Sequence, residues 1–192
     1  MSDRVAGFVL AGGQSRRLGR DKALLAYAGE TLVQAVALEV LKAAGSVALL
    51  GDPTRYGHLG FPVVADVVSG CGPMSGLHAA LLAAGEAEWI LVVACDLPNV
   101  TADLLARLIG KAGPGVQCVA AQGERGLEPL CAVYHRNTLS EVELALREGR
   151  SRMRDLAARL DAIGIEVEAR TVFNVNTEED WRLHLTEKEQ LH

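Results

Sequence analysis

The amino-acid sequence predicts an α/β fold of three layers, αβα, built around a mostly parallel mixed sheet. Three observations point there. Short apolar runs alternate with stretches of helical periodicity, the pattern of chained strand–helix–strand units. The run from Trp89 to Ala94 is apolar throughout, as a strand covered on both faces must be. Of the 192 residues 49 % are hydrophobic and few are aromatic, so Ala, Val, Leu and Gly can fill a core without disulfides or structural metal. No repeat, low-complexity tract or linker divides the chain, and one domain over residues 1–192 is expected.

Val5 to Leu10 reads as the first buried strand, ending at Ala11-Gly12-Gly13. Leu32, Val36 and Val40, beside Val33, Ala37 and Leu41, recur at helical spacing, and Gly45 stops that helix. Val47 to Leu50 and Pro62 to Ala65 are the next strands. Gly72-Pro73 opens a helix with Met74, Leu77 and Leu81 as its buried stripe, proline being tolerated in a first turn whose N–H has no partner. Trp89 to Ala94 follows, with Asp96 at its end. Thr101 is placed to cap a helix carrying Leu104, Leu105, Leu108 and Ile109. Val116 to Ala121 and Leu130 to Tyr134 are strands, 138–147 and 152–160 helices. A last helix, 177–185, begins with a Thr177-x-x-Asp180 capping pattern.

Composition excludes several classes. With 19 Lys+Arg against 24 Asp+Glu the net charge is −5, which does not attract a polynucleotide. Cys71, Cys95, Cys118 and Cys131 form no CxxC pair and no disulfide framework, so reduced thiols in a cytoplasmic protein are expected. The apolar run at the N-terminus is too short for a signal peptide, and no stretch is long enough to span a membrane. The dinucleotide fingerprint of nicotinamide enzymes and the Walker A pattern are both absent.

The segment from Leu10 to Lys22 carries the chemistry. It follows a strand, so it sits at the sheet edge where open α/β folds bind ligands. Gly12 and Gly13 let the backbone approach a phosphate, and Arg16, Arg17, Arg20 and Lys22 place four cations within seven residues of an acidic protein, opposed only by Asp21. Such a segment suits a triphosphate and the charge developing on a pyrophosphate leaving group. Asp96, at the tip of a central strand, can hold Mg²⁺ through one carboxylate plus phosphate oxygens, or can simply cap the next turn.

The pattern LAGGxSxRxGxDKxLL, filled here from Leu10 to Leu25, resembles the molybdenum cofactor guanylyltransferases within the wider nucleotidyltransferase superfamily. The resemblance runs from Val5 to about Trp181. It implies a Rossmann-like nucleotidyltransferase fold and nucleotide contacts from Leu10, Ala11, Gly12, Gly13, Lys22, Asp66 and Asp96. It also implies Asp96 as the Mg²⁺ ligand, and Arg17, Lys22 and Asp96 as the groups nearest the chemistry. Gly72 and Gly76 match a G-P-x-x-G motif, whose glycines keep the approach to the start of the helix open and which the resemblance groups with the pterin side of the site. Asn174 and Asn176 match paired asparagines associated with the pterin end of the site, although turn-forming residues ahead of a capped helix would look the same. Glu128-Pro129-Leu130 is a further match.

One departure concerns the base. The family often carries an asparagine near the end of the second strand, where this chain has Leu50-Gly51-Asp52, so backbone groups or Asp52 would have to read guanine. Arg150, Arg152 and Arg154 fit a solvated face better than an acceptor-phosphate site, and His78 fits a packed position. The implied reaction transfers GMP from GTP to the terminal phosphate of molybdopterin-bound molybdenum cofactor, with recipient molybdoenzymes downstream and neither nucleic acid nor membrane as partner. The alternatives are a cytidylyltransferase on the same pterin, a sugar-phosphate nucleotidyltransferase, and a non-catalytic cofactor carrier.

Overall fold

The structure is a computed structural model that describes residues 4–11, 21–27, 29–65, 71–177, 179–182 and 184. In chain order its elements are β1 (Val5–Leu10), β2 (Ala26–Tyr27), β3 (Glu30–Thr31), α1 (Leu32–Ala44), β4 (Ala48–Leu50), α2 (Pro53–Tyr56) and β5 (Val63–Val64). Then come α3 (Pro73–Ala83), β6 (Trp89–Ala94), α4 (Ala102–Gly110), β7 (Cys118–Gly123), β8 (Gly126–His135), α5 (Leu139–Arg147), α6 (Met153–Arg159) and β9 (Ile163–Glu166).

Seven strands form one sheet in the order β5-β4-β1-β6-β8-β7-β9. Only β8 runs against the rest: it pairs antiparallel with β6 and β7, while the other pairings are parallel. Alternation along the strands sorts the core into two faces. Val9, Leu91 and Val93 pack with Val33, Val36 and Val40 of α1 and Leu104 and Leu108 of α4. Phe8, Leu10, Ile90 and Val92 face the other way, onto Met74 and Leu77 of α3, Val142 of α5 and Leu156 of α6. Three layers result, as the sequence pattern predicts.

The connections locate the functional edge. From β1 the chain crosses through α1 to β4 and on to β5; through α3 it returns to β6 on the opposite side of β1. The strand order therefore reverses between β1 and β6, and helices diverging from such a point leave a crevice beyond the strand ends. Leu10 and Ala94 are paired there, and Cys95 N–H donates to the Leu10 carbonyl at 3.1 Å, carrying the pairing past the strand ends.

Local signals explain most boundaries. Thr31 and Gln34 form a reciprocal capping box at the start of α1, and Gly45 closes it in the left-handed conformation at φ 78°. Thr101 caps α4 as expected, its hydroxyl accepting from Leu104 N–H. The Thr177-x-x-Asp180 pattern is also in place: Asp180 N–H donates to Thr177 Oγ1 at 3.1 Å, and Asp180 Oδ2 accepts from the Asn176 and Thr177 N–H groups, each at 2.8 Å. Leu41, expected on the buried stripe of α1, is instead 38 % exposed. Three elements were not anticipated: the β2–β3 hairpin, the short α2 and the edge strand β9. Strand β8 starts earlier than expected, at Gly126, and continues through Pro129 because the β7–β8 register shifts between Ala120 and Ala121. A bulge of this kind accommodates a residue with no N–H to donate.

Candidate active site

At the reversal point Lys22 and Asp96 meet, though they lie 74 positions apart in the chain. Lys22 Nζ donates to Asp96 Oδ2 at 3.0 Å, to the Val175 carbonyl at 2.6 Å and to Asn176 Oδ1 at 3.0 Å. An ammonium has three N–H donors, so this one is saturated and ties β6 to the segment after β9. Asp96 contributes a second tie, its carbonyl accepting from Val175 N–H at 2.9 Å. Both ionic side chains are largely withdrawn from solvent, at 13 % and 19 % exposure.

Asp96 Oδ1 is buried and has no hydrogen-bond partner among the described groups. A desolvated carboxylate oxygen without a donor is costly for a folded chain, and a hard cation resolves that cost. Among the described residues no group of three or more His, Cys, Asp or Glu could hold a metal. A protein-only cage is not what Mg²⁺ requires; one carboxylate completed by phosphate oxygens and water is its common arrangement. The residues present fit such an ion.

Beside this pair lies a cavity of about 360 Å³ whose lining includes Glu128, Arg154, Phe173, Asn174, Asn176 and Asp180. It brings together the two asparagines and Glu128, the first residue of the Glu-Pro-Leu motif singled out in the sequence. Strand β8 pairs with β6 only as far as Cys131, opposite Val93, so Glu128 lies beyond the end of that pairing. Burial is the main force raising the Glu128 carboxyl above the usual range, and the charge of Asp96 adds to it. Asn176 accepts from Lys22 through its side-chain oxygen and donates its backbone N–H to Asp180. Burial opposes ionisation of Asp180, but the Asn176 and Thr177 N–H groups outweigh it and hold the carboxyl below the usual range. Arg154, grouped in the sequence with solvated arginines, sits at the cavity; Arg150, by contrast, is engaged by Glu148, its Nε 2.6 Å from Oε2.

The glycine motif of α3 has a different place. Gly72 and Gly76 are absent from the cavity lining, so the structure does not bring them to Asn174 and Asn176. Gly72 is exposed and adopts φ +60°, a conformation that favours glycine ahead of Pro73. Gly76 is buried, and a Cβ there would lie 2.2 Å from Leu10 Cδ2. Gly76 thus keeps open the approach of α3 to β1. Leu10 and Ala11 lie at the crevice with their backbone groups engaged: Leu10 O accepts from Cys95, Ala11 N–H donates to Leu50 O, and Ala11 O accepts from the Tyr56 hydroxyl. Gly12, Gly13, Arg17 and Asp66 lie outside the described residues. Asp52, a candidate reader of guanine, caps α2: its Oδ1 accepts from the Thr54 N–H at 2.9 Å and the Thr54 hydroxyl at 2.7 Å. His78 is packed, as expected, at 8 % exposure.

The sequence reading passed over three residues near this site. Asp21 counted only as an opposing charge, yet its carboxylate meets Ala23 N–H, Arg55 and Tyr56. The signal for Arg55 and Tyr56 was present in Asp52-Pro53, a cap followed by a first-turn proline that announces α2. Cys95, beside Asp96, is buried, and burial pushes its thiol up to about 12, so it is not a nucleophile at neutral pH.

Known proteins share both the sequence pattern and the fold. The sequence pattern of the MobA-like NTP transferase domain matches residues 7–163. The probable molybdenum cofactor guanylyltransferase of Pelotomaculum thermopropionicum is 35 % identical over 187 residues, covering 92 % of this chain and 90 % of that protein. The crystal structure of molybdopterin-guanine dinucleotide biosynthesis protein A from Archaeoglobus fulgidus superposes with a TM-score of 0.77 at 24 % identity, over 95 % of this chain and 99 % of that one. The manganese complex of Rv0371C from Mycobacterium tuberculosis H37Rv gives 0.71 at 23 % identity, over 95 % and 98 %. At those identities the two structures speak for the fold alone. On the sequence match, this chain belongs to the MobA-like NTP transferase family.

Proposed function

We propose that this protein transfers GMP from GTP to the terminal phosphate of molybdopterin-bound molybdenum cofactor. An oxygen of the acceptor phosphate attacks the α-phosphorus, a new P–O bond forms, the bond to the β-phosphate oxygen breaks, and pyrophosphate leaves. A phosphate monoester is already anionic, so catalysis needs positioning and charge neutralisation rather than a strong base. The observation that carries the reading is the meeting of Lys22 and Asp96 at 3.0 Å at the strand-order reversal, with Asp96 Oδ1 left over.

Asp96 would hold Mg²⁺ through that free oxygen, the ion's contribution being neutralisation of charge on the phosphates. Lys22 is held where it can exchange one of its three acceptors for a phosphate oxygen, and Arg17, with Gly12 and Gly13, belongs to the same nucleotide segment. Asp66 would orient the nucleotide. Asn174 and Asn176 face the acceptor's heterocycle, and Arg154 its phosphate. Free thiols at all four cysteines suit a cytoplasmic setting, from which the product passes to recipient molybdoenzymes.

Pyrophosphate release from GTP, with molybdopterin-bound cofactor and Mg²⁺, tests the reading. Asp96→Ala should lower the rate by about 100-fold or more, the scale of losing one preorganised electrostatic group. Equal rates in the two proteins would remove Asp96 from the reaction. No turnover by the unmodified protein would leave the carrier alternative standing.

A further inference from the structure

The cavity beside the Lys22–Asp96 pair holds two side chains to which the transfer step gives no part, Glu128 and Phe173. Glu128 owes its place to a fault in the β7–β8 ladder. The register there passes from Ala120–Ala132 to Ala121–Glu128, so Pro129 to Cys131 are left out of that pairing. Tyr134, fully buried, pins the bulge, its hydroxyl donating to the Pro129 carbonyl at 2.7 Å. A bulge beside a site re-aims a side chain, and a pinned one holds it there. Yet Glu128 is poorly satisfied. Among the described residues its carboxylate accepts one long hydrogen bond, from the Leu130 N–H at 3.4 Å to Oε1. Burial, together with the charge of Asp96, raises its carboxyl above the usual range, the mark of acceptor oxygens short of donors. Phe173 departs from its surroundings in the opposite sense. It is the one aromatic ring in a lining made mostly of polar residues, and it is 39 % exposed.

A carboxylate accepts through both oxygens, so the ligand edge it fits carries two N–H donors side by side. An exposed ring face fits a flat heterocycle. The pyrimidinone ring of a pterin meets both demands, being planar and carrying an N–H next to an amino group on one edge. We propose that Glu128 selects the acceptor by receiving that N–H and that amino hydrogen, while Phe173 stacks on the face of the same ring. Two parallel hydrogen bonds to one charged group are the strong kind, and they give the carboxylate oxygens the donors that burial denies them. Asn176 lines the same cavity and accepts from Lys22, so a heterocycle bound there adjoins the reacting pair. The inference rests on the nucleotidyl-transfer reading for the identity of the acceptor.

Glu128→Gln keeps the shape of the side chain and replaces one acceptor oxygen by a donor NH₂. The amide then matches lumazine, which carries a carbonyl where pterin carries the amino group. Both heterocycles fluoresce, so each can be titrated against the unmodified protein and the variant. The unmodified protein should bind pterin about 10- to 100-fold more tightly than lumazine, the scale of a hydrogen bond to a charged group. Glu128→Gln should lose or reverse that preference, because the repelled edge becomes the paired one. Phe173→Ala, at an exposed position, should weaken both heterocycles by about 10-fold and leave their ratio unchanged. In turnover, Glu128→Gln should raise KM for the pterin acceptor by about 10-fold and keep KM for GTP within about twofold. A merely structural role would lower kcat through a smaller active fraction and leave the preference unmoved. Equal affinities in the unmodified protein, no binding of either heterocycle, or a preference that survives in Glu128→Gln overturns the proposal. Should Glu128→Gln fail to fold, the pterin-to-lumazine ratio of the unmodified protein and its constancy in Phe173→Ala still decide. Preference for pterin without pyrophosphate release from GTP removes the reaction assignment and supports the role of Glu128.

Discussion

Lys22 ends in a single charged atom with three donors, and all three are spent on oxygens contributed by two separate parts of the chain. Lysine suits this because its ammonium is a compact point charge whose donors can rotate toward unrelated acceptors, whereas a planar guanidinium presents a fixed fork. Glu128 shows the complementary case, a carboxyl whose surroundings disfavour its charge. Burial raises its folded pKa above the unfolded value, so the folded state binds the proton more tightly. Its contribution to stability is then greatest below the ordinary glutamate range and falls as pH rises through the raised folded value. Glu128→Gln removes the titration. Melting temperatures measured for both proteins from about pH 4 upward should diverge in favour of the glutamine as pH rises. A constant difference across that range would mean that Glu128 ionises at no cost in the folded protein.

At the scale of elements, two glycines of the first βα units set how closely the layers stack. A Cβ at Gly7 would lie 2.4 Å from the Ser46 carbonyl oxygen and 2.5 Å from Val40 Cγ1, against the end of α1 and the turn that follows it. At Gly76 the obstacle is Leu10 Cδ2, the end of a side chain that can turn aside. Overpacking costs about 1 to 3 kcal/mol. Gly7→Ala should fall near the upper end, because the backbone must move, and Gly76→Ala near the lower; urea denaturation of the two variants decides the order. Most elements were legible as local patterns: the cap at Thr101, the stop at Gly45 and the apolar run of β6 each depend on near neighbours in the chain. The two-residue strands β2 and β3 and the four-residue α2 are too short to show a period. Strand β9 is a half-exposed edge with little apolar alternation to read. At Gly76 the sequence says only that space is needed, and the structure shows that a Cβ there would meet Leu10 of β1.

Across the whole molecule, an acidic chain of net charge −5 carries four cations, Arg16, Arg17, Arg20 and Lys22, within seven consecutive positions. Among the described residues, however, the metal is offered a single buried carboxylate oxygen, too little to bind a divalent ion tightly without phosphate. Nucleotide and ion should therefore stabilise the fold together. Mg²⁺ alone should hardly move the melting temperature. At about 100 times the dissociation constant, GTP with Mg²⁺ contributes about 2.7 kcal/mol, a rise of roughly 5 °C or more for a chain of this size. CTP with Mg²⁺ at the same concentration should give a smaller rise. An equal or larger rise with CTP would favour the cytidylyl alternative.

The sequence by itself determined the order of the longer strands and helices, the family, and a short list of candidate site residues that included Lys22 and Asp96. These follow from spacing along the chain, which local periodicity and a contiguous motif express directly. Only the tertiary structure decided that Lys22 reaches Asn176, 154 positions away, that α3 needs Gly76 to close on β1, and that Tyr56 joins Ala11 to Asp21. Each depends on which strand lies beside which. That order is settled by packing two apolar faces at once, a property no window of neighbouring residues contains.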